Sequence, residues 1–262
     1  MNQNSFPTHL LDSVVCGDSR QVLTQIPDDC VDLVFTSPPY NVNLGYDTYH
    51  DNLPFDVYFD FLLAVFFECF RILKPGGRLV VNIGDNIVFG VPTSAILTSK
   101  LLDKGFVWYD TIIWNKKNYS SGNFLGSWLS PSCPVIKKTY EFVIIFAKNT
   151  KKHVGNSCLS DLTKKEFLAY TNSIWEFSGE SKMLEYGHPA MFPEELARRV
   201  IKLFSFVDDV VVDPFSGVGT TLFVAKSLKR HYFGVDVSKV YCEKAKQRLA
   251  QSFFDFRTGN VV

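Results

Sequence analysis

Apolar residues along the chain gather into short runs closed by polar or glycine positions, and longer stretches with helical spacing lie between them. SVVCGD (13–18), VDLVFTS (31–37) and GRLVVNIGD (77–85) have the length and apolar density of buried strands. Between the last two, DVYFDFLLAVFFECFRIL (56–73) is long and apolar enough for a core helix, which KPGG (74–77) stops. FVWYDTIIWNK (106–116) and YEFVIIFAK (140–148) read as further strands. PEELARRVIKLFSF (193–206) opens on a proline suited to a first helical turn and then repeats apolar residues at helical spacing. VVVDPF (210–215), a glycine turn, the helix TLFVAKSLK (221–229), the strand HYFGVDV (231–237) and a last helix through Leu249 complete the pattern. Strands alternating with helices predict an α/β fold with a largely parallel sheet covered on both faces.

Composition narrows this picture. A chain of 262 residues, 46% hydrophobic and with 24 phenylalanines, can fill the core of one large α/β domain. Lys plus Arg and Asp plus Glu both number 27, so a case for nucleic acid must rest on local clustering. Residues 116–166 supply such a cluster, with nine lysines against Glu141, Asp161 and Glu166. Lys116, Lys117, Lys137, Lys138, Lys151 and Lys152, with Tyr119, Trp128 and His153 nearby, form either a solvated surface or one that faces phosphates. The six cysteines (16, 30, 69, 133, 158, 242) contain no C-x-x-C pair, which fits a reduced cytosolic protein, and no metal site is expected. MNQNSFPTHL lacks the marks of a signal peptide, and the apolar run near Phe59–Phe67 is too short to cross a bilayer, so a soluble cytoplasmic protein is expected.

Two segments carry candidate chemistry. In VVVDPFSGVGTT (210–221), Gly217 and Gly219 stand between a strand and a helix, where glycine lets the backbone approach a ligand at the helix N-terminus. Asp236 ends the next strand, where an acid of a nucleotide-binding unit takes ribose hydroxyls. The bland alternative is a glycine turn needed only for packing. A carboxylate at Asp213 suits a cationic sulfonium better than a pyrophosphate, which leans the reading toward S-adenosylmethionine.

The second segment is VFTSPPYNVN (34–43). Ser37 and Pro38 both precede prolines and are pushed toward extended geometry. Their carbonyls then point in a fixed direction at the sheet edge where α/β ligands bind. A rigid carbonyl and the Ser37 hydroxyl can accept from the amino group of cytosine or adenine. That localises its lone pair toward an electrophilic methyl, while Tyr40 offers a ring for stacking.

TSPPY (36–40) followed far downstream by DPFSGVGTT (213–221) resembles the amino-directed DNA methyltransferases of the circularly permuted beta group. CGDS (16–19), ILKPGGRLVVNIGD (72–85), TIIWNKK (111–117) and HPAMFPEELARRVI (188–201) follow the same family's order. The resemblance implies a class I methyltransferase (Rossmann-like) α/β fold with a seven-stranded, mostly parallel sheet, one antiparallel strand, and helices on both faces. It implies one catalytic domain over 1–262, with a catalytic half at 11–148, a cofactor half at 188–250 and a short target-recognition insertion at 149–187. The cofactor would be S-adenosyl-L-methionine. Asp213, Pro214, Phe215, Ser216, Gly217 and Gly219 would line its methionine end, and Thr220 and Thr221 would open the adjoining helix. Asp236 would bind ribose, Asp18 would sit near the adenine amino group, and His188 and Pro189 would close over the cofactor. Ser37, Pro38, Pro39 and Tyr40 would be catalytic.

A serine at position 37 favours cytosine N4 over adenine N6 in this family. Double-stranded DNA is the implied partner, with a flipped-out target base. Loops 41–55 and 117–138 would share in recognition, and a homodimer, companion methyltransferase or restriction endonuclease stays open. Among rivals, protein or RNA methylation by an Asn-Pro-Pro-Tyr relative usually places the cofactor motif first. A C5-cytosine enzyme needs a Pro-Cys nucleophile that Cys133, in Ser132-Cys133-Pro134, does not provide. A catalytically silent DNA-binding subunit would be expected to have lost one of the two motifs, and both are intact.

Overall fold

The computed structural model describes residues 5–86, 89–117, 126–127, 129–136, 138–181, 183–251, 254–255 and 260–261. In chain order its main elements begin with β1 (Ser13–Cys16), α1 (Ser19–Val22), β2 (Val31–Thr36), α2 (Phe55–Ile72) and β3 (Leu73–Ile83). Next come α3 (Thr93–Asp103), β4 (Phe106–Asn115), β5 (Tyr140–Lys148), α4 (Lys164–Tyr170), β6 (Ile174–Glu176) and α5 (Met183–Tyr186). The chain continues through α6 (Glu194–Phe204), β7 (Val210–Asp213), α7 (Thr220–Ser227), β8 (His231–Asp236) and α8 (Lys239–Leu249). Every strand and helix expected from the apolar runs is present.

The strands form one sheet in the order β1-β8-β7-β2-β3-β5-β4-β6, in which β5 alone runs against the others. The implied count of seven strands is corrected to eight, because Ile174–Glu176 pairs in parallel with Ile113–Asn115 on the outer edge of β4. All six residues of β2 are buried, as a strand covered on both faces requires. Val34 faces a core filled by Tyr58, Leu62, Phe66 and Cys69 of α2 and Leu97 and Leu101 of α3. Leu33 and Phe35 face the opposite core, filled by Leu196, Val200 and Ile201 of α6 and Leu222 and Val224 of α7.

β7 and β2 lie side by side although most of the chain separates them, and the strand order reverses direction between them. A crevice at the C-terminal ends of the strands is expected at such a switch point. The turn after β2 carries the proline pair and the turn after β7 carries the glycines, so the topology brings the two motifs to one edge.

Because β5 is antiparallel, it ends at the other edge: Lys148 pairs with Phe106, the first residue of β4. Residues 149–161 then run beneath the sheet. His153 approaches Asp209 at 3.2 Å just before β7, and Val207 donates to the Leu159 carbonyl. Asp161 accepts both terminal nitrogens of Arg230 at 2.9 Å. Arg230 is fully buried at its side chain and also donates to the carbonyls of Ser205 and Leu228. Among the described residues, no helix is long and apolar enough to cross a membrane.

Removing Asp161 would strand a buried guanidinium without its counter-charge. Asp161→Ala is expected to lower unfolding stability by about 3 kcal/mol, read as a shift of the urea midpoint at constant slope. A loss under about 1 kcal/mol would show that the segment under the sheet is held by other contacts.

Candidate active site

The turns after β1, β8 and β7 are stitched into one rim. Gly17 donates to the Asp236 carbonyl, Ser216 to the Val235 carbonyl, and Gly217 to Asp236 Oδ2 at 2.8 Å. Ser19 Oγ reaches the Pro214 carbonyl at 2.5 Å. The Gly217 backbone has φ +51°, and a Cβ there would lie 2.9 Å from His188 Nε2, so glycine is needed on both counts. This rim and the turn after β2 border one cavity of about 530 Å3, within the range of small-molecule sites.

One end of the cavity is lined by Asp18, Pro214–Gly217, Thr220 and Asp236, with His188 and Pro189 beside them. Asp18 caps α1 and pairs with Arg20 at 2.6 Å, and that guanidinium holds its carboxyl below the usual range. Asp236 accepts from the amides of Gly217 and Ser238, while burial raises its pKa. His188 accepts from the Ala190 amide at Nδ1, which places its proton on Nε2. Burial pushes that ring's pKa down to about 4.

A strap from Asn41 to Leu53 roofs this end. Asp51 accepts from the amides of Asn41, Val42 and Leu44, and Asn41 exchanges two hydrogen bonds with the Leu53 backbone. Ser238 Oγ donates to Asp47 at 2.7 Å and ties the strap to the start of α8, while Tyr46 meets His188 edge-on. Two buried hydroxyls on the cavity wall, Ser216 Oγ and Tyr49 Oη, have no hydrogen-bond partner among the described residues. Both are donors left for a ligand with polar atoms.

The other end holds Ser37–Tyr40, Asn82, Trp114, Lys116, Glu141 and Phe192. Pro39 gives its carbonyl to Tyr58 Oη at 2.8 Å, whereas no hydrogen bond reaches the Pro38 carbonyl among the described residues. Of the two proline carbonyls, the first is therefore the free acceptor. Ser37 Oγ donates to the Asn82 carbonyl at 3.0 Å and lies 3.2 Å from Tyr40 Oη. Tyr40 Oη donates to Glu141 Oε2 at 3.0 Å, and Asn82 Nδ2 reaches the same two atoms at 3.0 and 2.7 Å. Lys116 pairs with the second oxygen of Glu141 at 2.6 Å. Burial, and next the nearby Glu141 carboxylate, raise the Tyr40 pKa well above the ordinary phenol value. The Tyr40 ring is thus held rigid at the cavity wall.

Asp213, Gly219 and Thr221 do not border the cavity. The Asp213 carboxylate is buried and accepts from Thr36 Oγ1 and Thr221 Oγ1 at 2.6 Å and from the Phe215 amide at 3.0 Å. Burial pushes its pKa up to about 6. Its place is beneath the turn, where it fixes the backbone that forms the rim.

The candidate lysines divide between the two edges. Lys116, Lys117 and Lys138 stand on the cavity edge, Lys117 pairing with Glu176 at 3.2 Å and Lys138 lying 4.0 Å from Asp85. Lys151 and Lys152 belong to the segment under the sheet, a strand's length from the cavity. Lys151 Nζ donates to the Tyr109 carbonyl and lies over the Trp108 and Tyr109 rings, and the Lys152 backbone packs on Gly76. Lys137, Tyr119 and Trp128 lie outside the described residues. Sequence reasoning missed Asn82, Glu141, Tyr46 and Asp51. The one signal for Asn82 and Glu141 was a polar residue inside an otherwise apolar strand run.

Residues 31–247 match the family described as DNA methylase. The chain belongs to the DNA methylase family. A curated relative, the Type II methyltransferase M.HpaI of Haemophilus parainfluenzae, is 31% identical over 252 residues, spanning 93% of this chain and 76% of that protein. Among solved structures, TTHA0409 of Thermus thermophilus, complexed with S-adenosyl-L-methionine, is 33% identical, with a TM-score of 0.72 over 91% of this chain and 93% of that one. The cytosine-N4-specific PvuII DNA methyltransferase shares the fold at 24% identity and a TM-score of 0.72, over 91% of this chain and 86% of that one. This member of the DNA methylase family therefore has the α/β fold of its relatives.

The neutral His188 ring leads to a pH test. Its folded pKa lies below the unfolded value near 6.5, so its contribution to stability is present above pH 6.5 and is lost as pH falls toward 4. His188→Gln should remove close to one proton from the uptake on unfolding in that window, measured by denaturant titrations at several pH values. Parallel pH profiles for the two proteins would show that the ring is not held neutral.

Proposed function

We infer that the protein transfers a methyl group from S-adenosyl-L-methionine to the exocyclic amino group of a flipped-out base in duplex DNA, with cytosine N4 as the target. The observation that carries this reading is a single cavity with the free Pro38 carbonyl and Ser37 Oγ at one end and the Gly217 turn with Asp236 at the other. Bound cofactor supplies an electrophilic methyl group. Asp236 would take the ribose hydroxyls, Asp18 would lie near the adenine amino group, and Phe215–Gly217 with Thr220 would receive the methionine end. Ser216 Oγ and Tyr49 Oη supply the donors left unused within the chain. A neutral His188 suits a neighbour that brings its own positive charge.

At the reacting end, the Pro38 carbonyl and Ser37 Oγ accept the two amino protons, drawing the nitrogen lone pair out of the ring plane. The Tyr40 ring stacks on the base. Preorganised acceptors then stabilise positive charge as it develops on nitrogen. Ser37 favours cytosine N4, and the likeness to a Type II methyltransferase supports a role in restriction-modification. Of residues 149–187, expected as the recognition insertion, 149–161 lie at the far edge of the sheet, so the proposed DNA-facing part is the end of the segment. Gly179, Glu180 and Met183 from its last part border the cavity.

Incubating duplex DNA with methyl-labelled cofactor and digesting it to nucleosides tests this directly. N4-methylcytosine is expected; N6-methyladenine would reassign the base, and no labelled nucleoside would overturn the reading. Tyr40→Ala should slow transfer by about 10²-fold or more with cofactor affinity nearly intact, whereas Asp236→Ala should weaken cofactor binding first.

DNA phosphates would meet the cavity edge. Lys117→Ala with Lys138→Ala should reduce the salt slope of DNA binding by about 2, and Lys151→Ala with Lys152→Ala should leave it unchanged. The reverse result would put DNA on the far edge of the sheet.

A further inference from the structure

We propose that Glu141 is the terminal proton acceptor of a relay that leads away from the methylated nitrogen through Ser37 and Tyr40. The proposal rests on the amino-methyltransferase reading above and adds a route for the proton that this chemistry must shed.

When the amino lone pair forms the new bond to carbon and the methyl's bond to sulfur breaks, nitrogen becomes positively charged and one of its protons must leave. The Pro38 carbonyl can accept a hydrogen bond but cannot pass a proton onward. Ser37 can: its hydroxyl rests on the Asn82 carbonyl at 3.0 Å and lies 3.2 Å from Tyr40 Oη, so it can turn its own proton there as it takes one from nitrogen, and Tyr40 Oη already donates to Glu141 Oε2 at 3.0 Å. The nitrogen proton moves to Ser37 Oγ, the serine proton to Tyr40 Oη, and the tyrosine proton to Glu141. Both hydroxyls end as they began. Nitrogen is neutral, and the carboxylate has become a carboxylic acid that later returns its proton to solvent.

Two further features suit Glu141 to this place. Lys116 on Oε1 and Asn82 Nδ2 on Oε2 fix the carboxylate with one oxygen turned to Tyr40. The Glu141 side chain is 14% exposed and borders the cavity, so a proton it takes can pass on to solvent. Glu141 acts through Tyr40 and Ser37 and is a positioning and proton-accepting residue.

Single-turnover transfer to duplex DNA at saturating cofactor tests this with Glu141→Gln, Tyr40→Phe and the double variant. Tyr40→Phe keeps the stacking ring and removes only the hydroxyl. Each single variant should lose about 10²-fold in rate with its cofactor Kd unchanged, and the double variant should be no slower than the slower single. Formate added to Glu141→Ala should restore part of the lost rate. A Glu141→Gln rate within fivefold of wild type would overturn the relay, as would losses that multiply in the double variant. If Glu141→Gln does not fold, Tyr40→Phe decides alone, and a rate within fivefold overturns it. Failure of the wild-type protein to methylate any amino group would instead overturn the underlying reading.

Discussion

The hydrogen bond from Thr36 Oγ1 to Asp213 Oδ1 joins the last residue of β2 to the last residue of β7 across the switch point of the sheet. Both side chains are buried, so neither can turn to water if the other is lost. The second carboxylate oxygen takes Thr221 at the start of α7, and the Phe215 amide closes on the first. One acid thus sets the distance between the turn carrying the proline pair and the turn carrying the glycines. The cavity exists because those turns are held apart by a fixed amount. Three donors offset only part of the carboxylate's desolvation cost, and burial pushes its pKa up to about 6.

The two ends of the cavity are built on different principles. At the glycine end, backbone amides and carbonyls do most of the holding, and carboxylates organise the turns. At the proline end, side chains hold one another: Ser37, Tyr40, Asn82, Glu141 and Lys116 form one connected network gathered from the C-terminal ends of β2, β3 and β4 and the start of β5. Such a network rigidifies only when its members are satisfied. The Asn82 Oδ1 atom is buried without a partner among the described residues, a gap in that ring of contacts.

Much of the scaffold was legible because apolar run length and punctuation are local signals. The strands β1–β5, β7 and β8 and the helices α2, α6, α7 and α8 fall where those runs place them. β6 was not legible: three residues, of which Trp175 alone is buried, give no periodicity to detect. Lys151 and Lys152 stand near other lysines in sequence, which is all that joined them to a DNA-facing surface. The single antiparallel strand carries the chain to the opposite edge, and strand direction is not written in local composition. Glu141 and Asn82 escaped notice because a polar residue within a strand declares itself only when its partners on neighbouring strands are known. Asp213 stands at the head of the glycine turn, as its place in the sequence implies, but its side chain points below the rim. The carboxylate's direction depends on Thr36, which lies 177 residues earlier in the chain.

The sheet's connectivity also bears on how the chain is made. β2 is paired on one side by β7, and β1 is paired by β8, so both early strands wait for late ones. During synthesis, the segment carrying the proline pair leaves the ribosome long before residues 210–213 and 231–236 exist to cover its open edge. A nascent chain at that stage presents β2, apolar on both faces, with a free row of backbone donors and acceptors. Pairings of such long sequence separation are slow to form and leave edges open to wrong partners. The arrangement that brings two distant motifs together in the finished enzyme therefore makes completion of its central strand a late event in folding.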